Sequence, residues 1–240
     1  MKILHVIYSL RNGGAERIVV DLAKGLTNKG HINHICTLNS VNEFELELQS
    51  SGVNFTSLIN KKEFRFILCI PILIIYLRKV IKDINPDIVH CHLRNDSAIC
   101  GFIKDIPIIR SIQNSNPLGS YDLSLSNKII LWLEKQSLKK PNFNIVACNK
   151  VSENLINLSL EKYRKSCVAT IYNAIDTKRF NIKEINKNIK SPFKIILIGT
   201  LYKTKNHKMA FLALNELIKS NIDCHLLLIG DGIEKRNLQN

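Results

Sequence analysis

Three short constellations in this 240-residue sequence carry side chains whose types and spacing could do chemistry. Near the start, an apolar run from Lys2 to Tyr8 leads into Ser9-Leu10-Arg11-Asn12-Gly13-Gly14 and then a helical pattern from Ala15. Two glycines at a strand-to-helix turn let a ligand reach the backbone, and the free N–H groups of a first helical turn attract a phosphate or a sugar oxygen. G-x-G-x-x-G is absent, and a tight turn without ligand is the plainer account of the pair taken alone. In Pro86-Asp87-Ile88-Val89-His90-Cys91-His92 the histidines lie two apart and share one face at the C-terminal end of a strand, where open α/β sheets bind ligands. His90 is expected to be a satisfied structural residue and His92 to reach the cleft. Cys91 points to the opposite face, and no C-x-x-C or H-x-x-x-H accompanies it, so no metal site is expected. Further on, Gly199 and a loop with Lys203 and Lys205 precede a helical stretch from His207. A lysine beside a helix N-terminus can neutralise a phosphate leaving group, although lysines of a basic chain are commonly only solvated. The turn after Leu226–Ile229 carries Asp231, whose role can be no more than fixing that loop.

These residues need a scaffold, and the pattern supplies one. Lys2 to Tyr8, Asn33 to Leu38, Asp87 to His92, Pro107 to Ile112, Asn144 to Cys148 and Val168 to Ile171 are strand-length and β-branched. Helical stretches alternate with them. Ala15, Ile18, Val19, Leu22, Ala23 and Leu26 form one apolar face, and Asp96 to Lys104, Ser126 to Lys139 and Asn149 to Tyr163 follow. Such alternation predicts an α/β, Rossmann-like parallel sheet flanked by helices over residues 1–182. The polar, basic stretch after it gives an interdomain linker at 183–192. Residues 193–240 then restart with a strand, a helix from His207 to Lys219 and a strand from Cys224 to Ile229. One βαβ unit cannot bury both faces of its strands, so this part is expected to be the beginning of a second Rossmann-like domain, and the chain to be truncated.

Composition bounds the rest. At 45% hydrophobic and 22% charged the chain is an ordinary globular protein, which excludes a disordered chain, a collagen-like fibre and a multi-span membrane protein. The net charge of +14 suits phosphorylated substrates, anionic lipid or nucleic acid, and a bias towards Ile, Lys and Asn accounts for part of it without any partner. No helix-turn-helix, zinc-finger or RNP signature accompanies the charge, so nucleic acid is not expected as a partner. Seven dispersed cysteines read as reduced, intracellular core residues, giving a cytoplasmic expectation. The first apolar run is interrupted by His5 and reads as a buried strand, not a signal peptide. Phe66 to Leu77 is unbroken and apolar, but twelve residues are too few to span a bilayer. With Lys61, Lys62 and Arg65 before it and Arg78, Lys79 and Lys82 after it, the run suits a helix that is buried or one in peripheral contact with an anionic membrane face.

Taken in order, NGGAERIVVDLAKGL from Asn12, PDIVHCH from Pro86, IYNAID from Ile171 with Phe180 beyond it, IGTLYKTKNH from Ile198 and LLIGDG from Leu227 resemble glycosyltransferase family 4. The resemblance implies the GT-B fold of two Rossmann-like domains and a retaining hexosyltransferase, acting without a cofactor or metal on a nucleotide-diphosphate sugar, a UDP- or GDP-sugar. The acceptor it implies is a saccharide or lipid-linked molecule in cell-surface polysaccharide synthesis, worked on in the cytoplasm, at the inner face of the membrane. By the same resemblance Gly13 and Gly14 approach donor phosphate and acceptor, His92 lines the reaction centre, and Lys205 balances charge on the departing nucleoside diphosphate. Asn173, Gly199 and Thr200 join as substrate-binding positions.

The sequence departs from the family pattern in places. Thr200 stands where an arginine is usual, and Gln113 where a histidine is common in Ser111-Ile112-Gln113-Asn114. The glutamate pair spaced E-x7-E, expected beyond Gly232, is not met before Asn240. Turnover by a chain ending there is in question, and the competing expectation is a non-catalytic truncated or split-gene domain that binds acceptor or a partner. An epimerase of similar fold is disfavoured by the Asn-Gly-Gly-Ala-Glu start and the Asn-Ala-Ile-Asp segment.

Overall fold

The computed structural model of the chain describes residues 1–113, 124–160, 168–177, 180 and 192–239. It divides into two compact units, Met1–Ile175 and Asp176–Asn240. The linker expected at 183–192 lies, apart from Pro192, outside the described residues, as does the end of the helix expected to reach Tyr163.

Among the described residues the first unit holds seven strands, β1 (Lys2–Ile7), β2 (Ile32–Thr37), β3 (Asn54–Ser57), β4 (Ile88–Cys91), β5 (Ile108–Ile112), β6 (Phe143–Ala147) and β7 (Val168–Thr170). They form one sheet in the order β3-β2-β1-β4-β5-β6-β7, every pairing parallel. Six helices connect them: α1 (Gly14–Asn28), α2 (Glu45–Ser50), α3 (Phe66–Ile84), α4 (Arg94–Cys100), α5 (Leu125–Leu138) and α6 (Lys150–Leu160). This is the expected Rossmann-like α/β architecture.

Alternation along the strands divides the core in two. Leu4, Val6, Val89 and Cys91 pack with Leu73 and Leu77 of α3, Ile99 of α4 and Ile130 and Leu138 of α5. On the opposite face Ile7 and Ile35 pack with Val19, Val20 and Ala23 of α1 and Leu48 of α2. β3 and α2 are the elements of the first unit that the sequence pattern did not announce. β3 is a four-residue edge strand and α2 a six-residue helix with one buried side chain, too short for either period to show.

The run from Phe66 is a helix, longer than its apolar part. Pro71 sits inside α3, where it cannot donate to the carbonyl one turn back, and Asn85 ends the helix at φ 50°, a left-handed cap that asparagine tolerates. Among the described residues, no helix is long and apolar enough to cross a membrane.

The second unit contains β8 (Phe193–Ile198), a 3-10 turn (Lys203–Lys205), α7 (His207–Lys219), β9 (Cys224–Ile229) and α8 (Lys235–Gln239). β8 and β9 pair in parallel, Phe193 opposite Cys224 through Ile198 opposite Ile229. Ile196, Ile198, Leu227 and Ile229 are exposed, because α7 alone cannot cover both faces of the pair.

Candidate functional site

In the first unit the strand order reverses between β1 and β4. In an open parallel sheet the connections from two such strands leave in opposite directions, which opens a crevice at their C-terminal ends. Two of the constellations meet there. The loop after β1 ends at Gly13, Gly14 opens α1, and the residue after β4 is His92, whose N–H donates to the Val6 carbonyl of β1 at 3.3 Å.

The glycine loop is held from its own side. Asn12 N–H donates to Glu43 Oε2 at 3.0 Å, Gly13 N–H to the Arg11 carbonyl at 2.8 Å, and Arg17 N–H to the Gly13 carbonyl at 2.9 Å. Gly13 caps α1 in extended backbone with no side-chain cap. A Cβ at Gly13 would run into the Glu16 carboxylate, a flexible neighbour, whereas one at Gly14 would meet nothing within 4 Å. Packing within the chain therefore does not require a glycine at 14. Burial raises the Glu16 pKa above the usual carboxylate value, opposed by a hydrogen bond from its own N–H and by Arg11.

Behind the loop lie three histidines. His5 of β1 faces His90 and His92, with ring centroids 5.5 Å from each, and the rings of His90 and His92 are 4.0 Å apart. Their hydrogen bonds fix the tautomers. Asn33 Nδ2 donates to the His31 carbonyl, so its Oδ1 faces His5 Nε2 at 3.1 Å and accepts the proton there. His5 Nδ1 is then bare, and the 3.3 Å contact to His92 Nε2 places a proton on His92 Nε2. His92 Nδ1 is left with a buried lone pair that has no hydrogen-bond partner among the described residues. His90 Nε2 lies 2.7 Å from Ser111 Oγ.

Burial brings the His5 pKa down to about 4, against the Asn33 hydrogen bond. Burial, and then the neighbouring histidines and Arg110, hold His90 and His92 well below their ordinary range. All three rings are neutral at pH 7. The expected division of roles, with His92 reaching outward, differs from the geometry: His92 is only 2% exposed and is stacked into the group. The physical reason is β1, whose His5 fills the same face of the sheet and draws His92 inward. Cys91 does point the other way, into the α3–α5 core. One nitrogen from each histidine lies within 4.8 Å of the others, so these are the described residues able to hold a metal ion, with Asn33 and Ser111 fixing outer nitrogens as second partners. Spacing along the sequence reveals only two of them.

A buried charge network holds the end of β4. Arg110 of β5 donates through Nη1 to the His92 carbonyl at 2.6 Å and also to the Ser111 carbonyl, and through Nη2 to Glu134 Oε1 of α5 at 3.0 Å. Glu134, wholly buried, also pairs with Arg94 of α4 at 3.2 Å. Asp96 of α4 accepts the Leu93 N–H at 2.8 Å through Oδ2, while its Oδ1 is buried without a partner among the described residues. Burial lifts the Asp96 pKa to about 7, against hydrogen bonds from Leu93 and His92 and the charge of Arg110. None of Arg110, Glu134 and Asp96 was singled out from sequence. The available signal was charge at core spacing: Glu134 lies between Ile130 and Leu138 at four-residue steps, and Arg110 alternates with Ile108 and Ile112.

Asn173, after β7, donates through Nδ2 to Oε1 of Gln113, after β5, at 2.8 Å, so two further positions of the resemblance meet at the same sheet edge. Gly199, Thr200 and Lys205 lie in the second unit, around the loop after β8. There Gly199 N–H donates to the Ile229 carbonyl at 3.0 Å and Leu201 N–H to the Asp231 carbonyl at 2.9 Å. A Cβ on Gly230 would overlap the Gly199 carbonyl oxygen, and one on Gly232 would sit 2.5 Å from that of Leu201. The two loops are joined backbone to backbone, which accounts for the glycines of Gly230-Asp231-Gly232. Asp231 Oδ1 accepts the Gly232 N–H at 3.0 Å and fixes the turn. Lys205 and Thr200 are exposed, and Asn206, at φ 50°, turns the chain into α7.

Residues 12–179 match the family model Glycosyltransferase Family 4, and the chain belongs to that family. It is 26% identical over 238 residues to the capsular polysaccharide biosynthesis glycosyltransferase CapH of Staphylococcus aureus, covering 94% of this chain and 60% of CapH. It is 25% identical over 250 residues to the N-acetylgalactosamine-N,N'-diacetylbacillosaminyl-diphospho-undecaprenol 4-alpha-N-acetylgalactosaminyltransferase of Campylobacter jejuni, covering 97% of this chain and 63% of that protein. The chain thus spans about three fifths of the length of these relatives. Among solved structures, Anabaena HepE in complex with UDP and glucose superposes with a TM-score of 0.68 at 17% identity over 100% of this chain and 64% of HepE. TarM gives 0.72 at 11% over 99% of this chain and 73% of its own. These likenesses show the fold, that of the GT-B glycosyltransferases.

Proposed function

We propose that the chain serves transfer of a hexosyl group from a UDP- or GDP-sugar, with retention of configuration, to a saccharide or lipid-linked acceptor in cell-surface polysaccharide synthesis at the cytoplasmic membrane face. The observation that carries this reading is the meeting, at the reversal point of a family 4 sheet, of an open glycine position and a histidine with a bare, buried nitrogen. The names of the relatives support it: one is a capsular polysaccharide biosynthesis glycosyltransferase, and another is named for a diphospho-undecaprenol acceptor.

The reaction breaks the bond between the anomeric carbon and the diphosphate oxygen, which keeps the electron pair, while an acceptor oxygen bonds to that carbon and gives up its proton. Negative charge grows on the diphosphate, and Lys205 with the free N–H groups of a helix start meets that need. Gly14 leaves room for the substrate beside α1, and His92, stacked on His5 at the end of β4, backs the site from within the sheet without touching substrate itself. Thr200, in place of a cation, leaves more of the charge to Lys205.

A second reading, acceptor binding without turnover, is favoured by the exposed apolar strands of the second unit. Incubation of the chain with radiolabelled UDP- and GDP-sugars and a polyprenyl-diphosphate-linked acceptor separates the two. Labelled product that falls about a hundredfold or more with Lys205→Ala supports transfer. Calorimetric binding of acceptor but of no nucleotide sugar, with no product, supports the second reading and overturns the first.

A further inference from the structure

Helix α3 does not bury its apolar run. Phe66, Leu73 and Leu77 enter the core, but Leu68 (72% exposed), Ile72, Ile75 (59%) and Tyr76 face outward. Their spacing of four, three and one makes a continuous stripe over two to three turns, where an ordinary surface helix carries polar residues. α5 repeats the arrangement: Leu125, Ile129 and Trp132 (60%) are exposed at steps of four and three. The two helices lie on the same side of the sheet, since both contribute to the core that holds Leu4, Val6, Val89 and Cys91. Between them sits α4, buried from Asp96 to Cys100 and packed against both.

In a parallel sheet with connecting helices, each helix starts at the edge where its preceding strand ends. α3 follows β3 and α5 follows β5, so both stripes occupy the helix starts nearest the C-terminal sheet edge, the edge of the glycine loop and His92. Around the stripes the charge is positive. Lys61, Lys62, Arg65, Arg78, Lys79 and Lys82 are exposed about α3, against Glu63 and Asp83, and Lys128 is exposed on α5. An apolar strip with a tryptophan, in a collar of cations, has the chemistry of a surface that inserts shallowly among acyl chains while its lysines meet anionic headgroups.

We infer that the starts of α3 and α5 form a docking surface for an anionic bilayer, seating the first unit with its ligand-binding sheet edge towards the membrane. The purpose of the surface rests on the proposed lipid-linked acceptor. Its existence does not, and the test needs neither donor nor acceptor.

Trp132 is the only tryptophan of the chain and lies within the surface, so it reports directly. The full chain is mixed with vesicles of phosphatidylcholine alone and with vesicles containing about one third phosphatidylglycerol. Co-sedimentation with the anionic vesicles only is expected, with a blue shift of Trp132 emission and quenching by brominated acyl chains. Ile72→Asp with Ile75→Asp should weaken partitioning about tenfold or more with the circular dichroism spectrum retained, and raised salt should weaken it in the wild type. No binding to the anionic vesicles, binding without blue shift or quenching, or self-association that masks Trp132 in the absence of lipid would each overturn the inference. Brominated-lipid quenching uses the wild-type chain, so the test survives a variant that misfolds. Vesicle binding without glycosyl transfer would leave the surface standing and count only against the transferase reading.

Discussion

The glycine at 14 is the residue whose presence the protein's own packing explains least. A methyl group there meets open space, and the position is already helical. Gly14→Ala should therefore keep the thermal stability or raise it by up to about 1 kcal/mol, since alanine loses less backbone freedom on folding. If substrate approaches this backbone, the same methyl should raise KM about tenfold. Thermal melts and steady-state kinetics on one variant separate the two effects, and an unchanged KM would count against substrate contact at Gly14. His92 offers a different lesson in legibility. Its place at the end of β4 was readable from period-two spacing, but its burial was not, because the residue that turns it inward, His5, lies 87 positions earlier and looked like an interruption of an apolar strand.

At the scale of elements, α4, α5 and the β4 end are tied by charges more than by shape alone. Glu134 receives Arg110 and Arg94, and Arg110 in turn holds the His92 carbonyl. Glu134→Ala leaves the nearly buried Arg110 without its carboxylate, and a loss of about 3–5 kcal/mol in urea unfolding is expected. Replacing Arg110 and Glu134 together with apolar residues of similar volume should cost less than that single change, a comparison that checks whether the unpaired charge is the cause. Helices and strands with full amphipathic periods, such as α1 and β2, were plain in the sequence to within a residue or two. β3 and α2 were not, because an edge strand of four residues and a helix with one buried side chain expose too little pattern. The outward face of α3 was hidden for another reason: a run that is apolar all round does not say which side is covered, and only the packed helix shows it.

For the whole molecule the buried titrating groups set the response to acid. His5, at about 4, and His90 and His92, also depressed, stay neutral in the folded chain while an unfolded chain protonates them below about 6.5. Unfolding then takes up protons, so stability is full above about pH 6.5 and falls as the pH drops towards 4. Asp96 acts in the opposite sense over the same window. Folded, it keeps a proton up to about pH 7 that it loses on unfolding, which offsets one of the three histidines. Urea midpoints should therefore fall as the pH drops from 6.5 to 4.5, and fall more steeply in Asp96→Asn, which lacks the opposing proton. An Asp96→Asn profile no steeper than that of the wild type would place the proton elsewhere.

The pairing of β1 with β4 also bears on how the protein is made. Ile3 leaves the ribosome 85 residues ahead of Ile88, its partner across the centre of the sheet. At about 5–20 residues per second, translation needs roughly 4–17 s to supply that partner. Until then the nascent β1 has an open backbone edge and an uncovered His5, so the strand that later seats the histidines spends the start of its life as the segment most in need of a chaperone's cover.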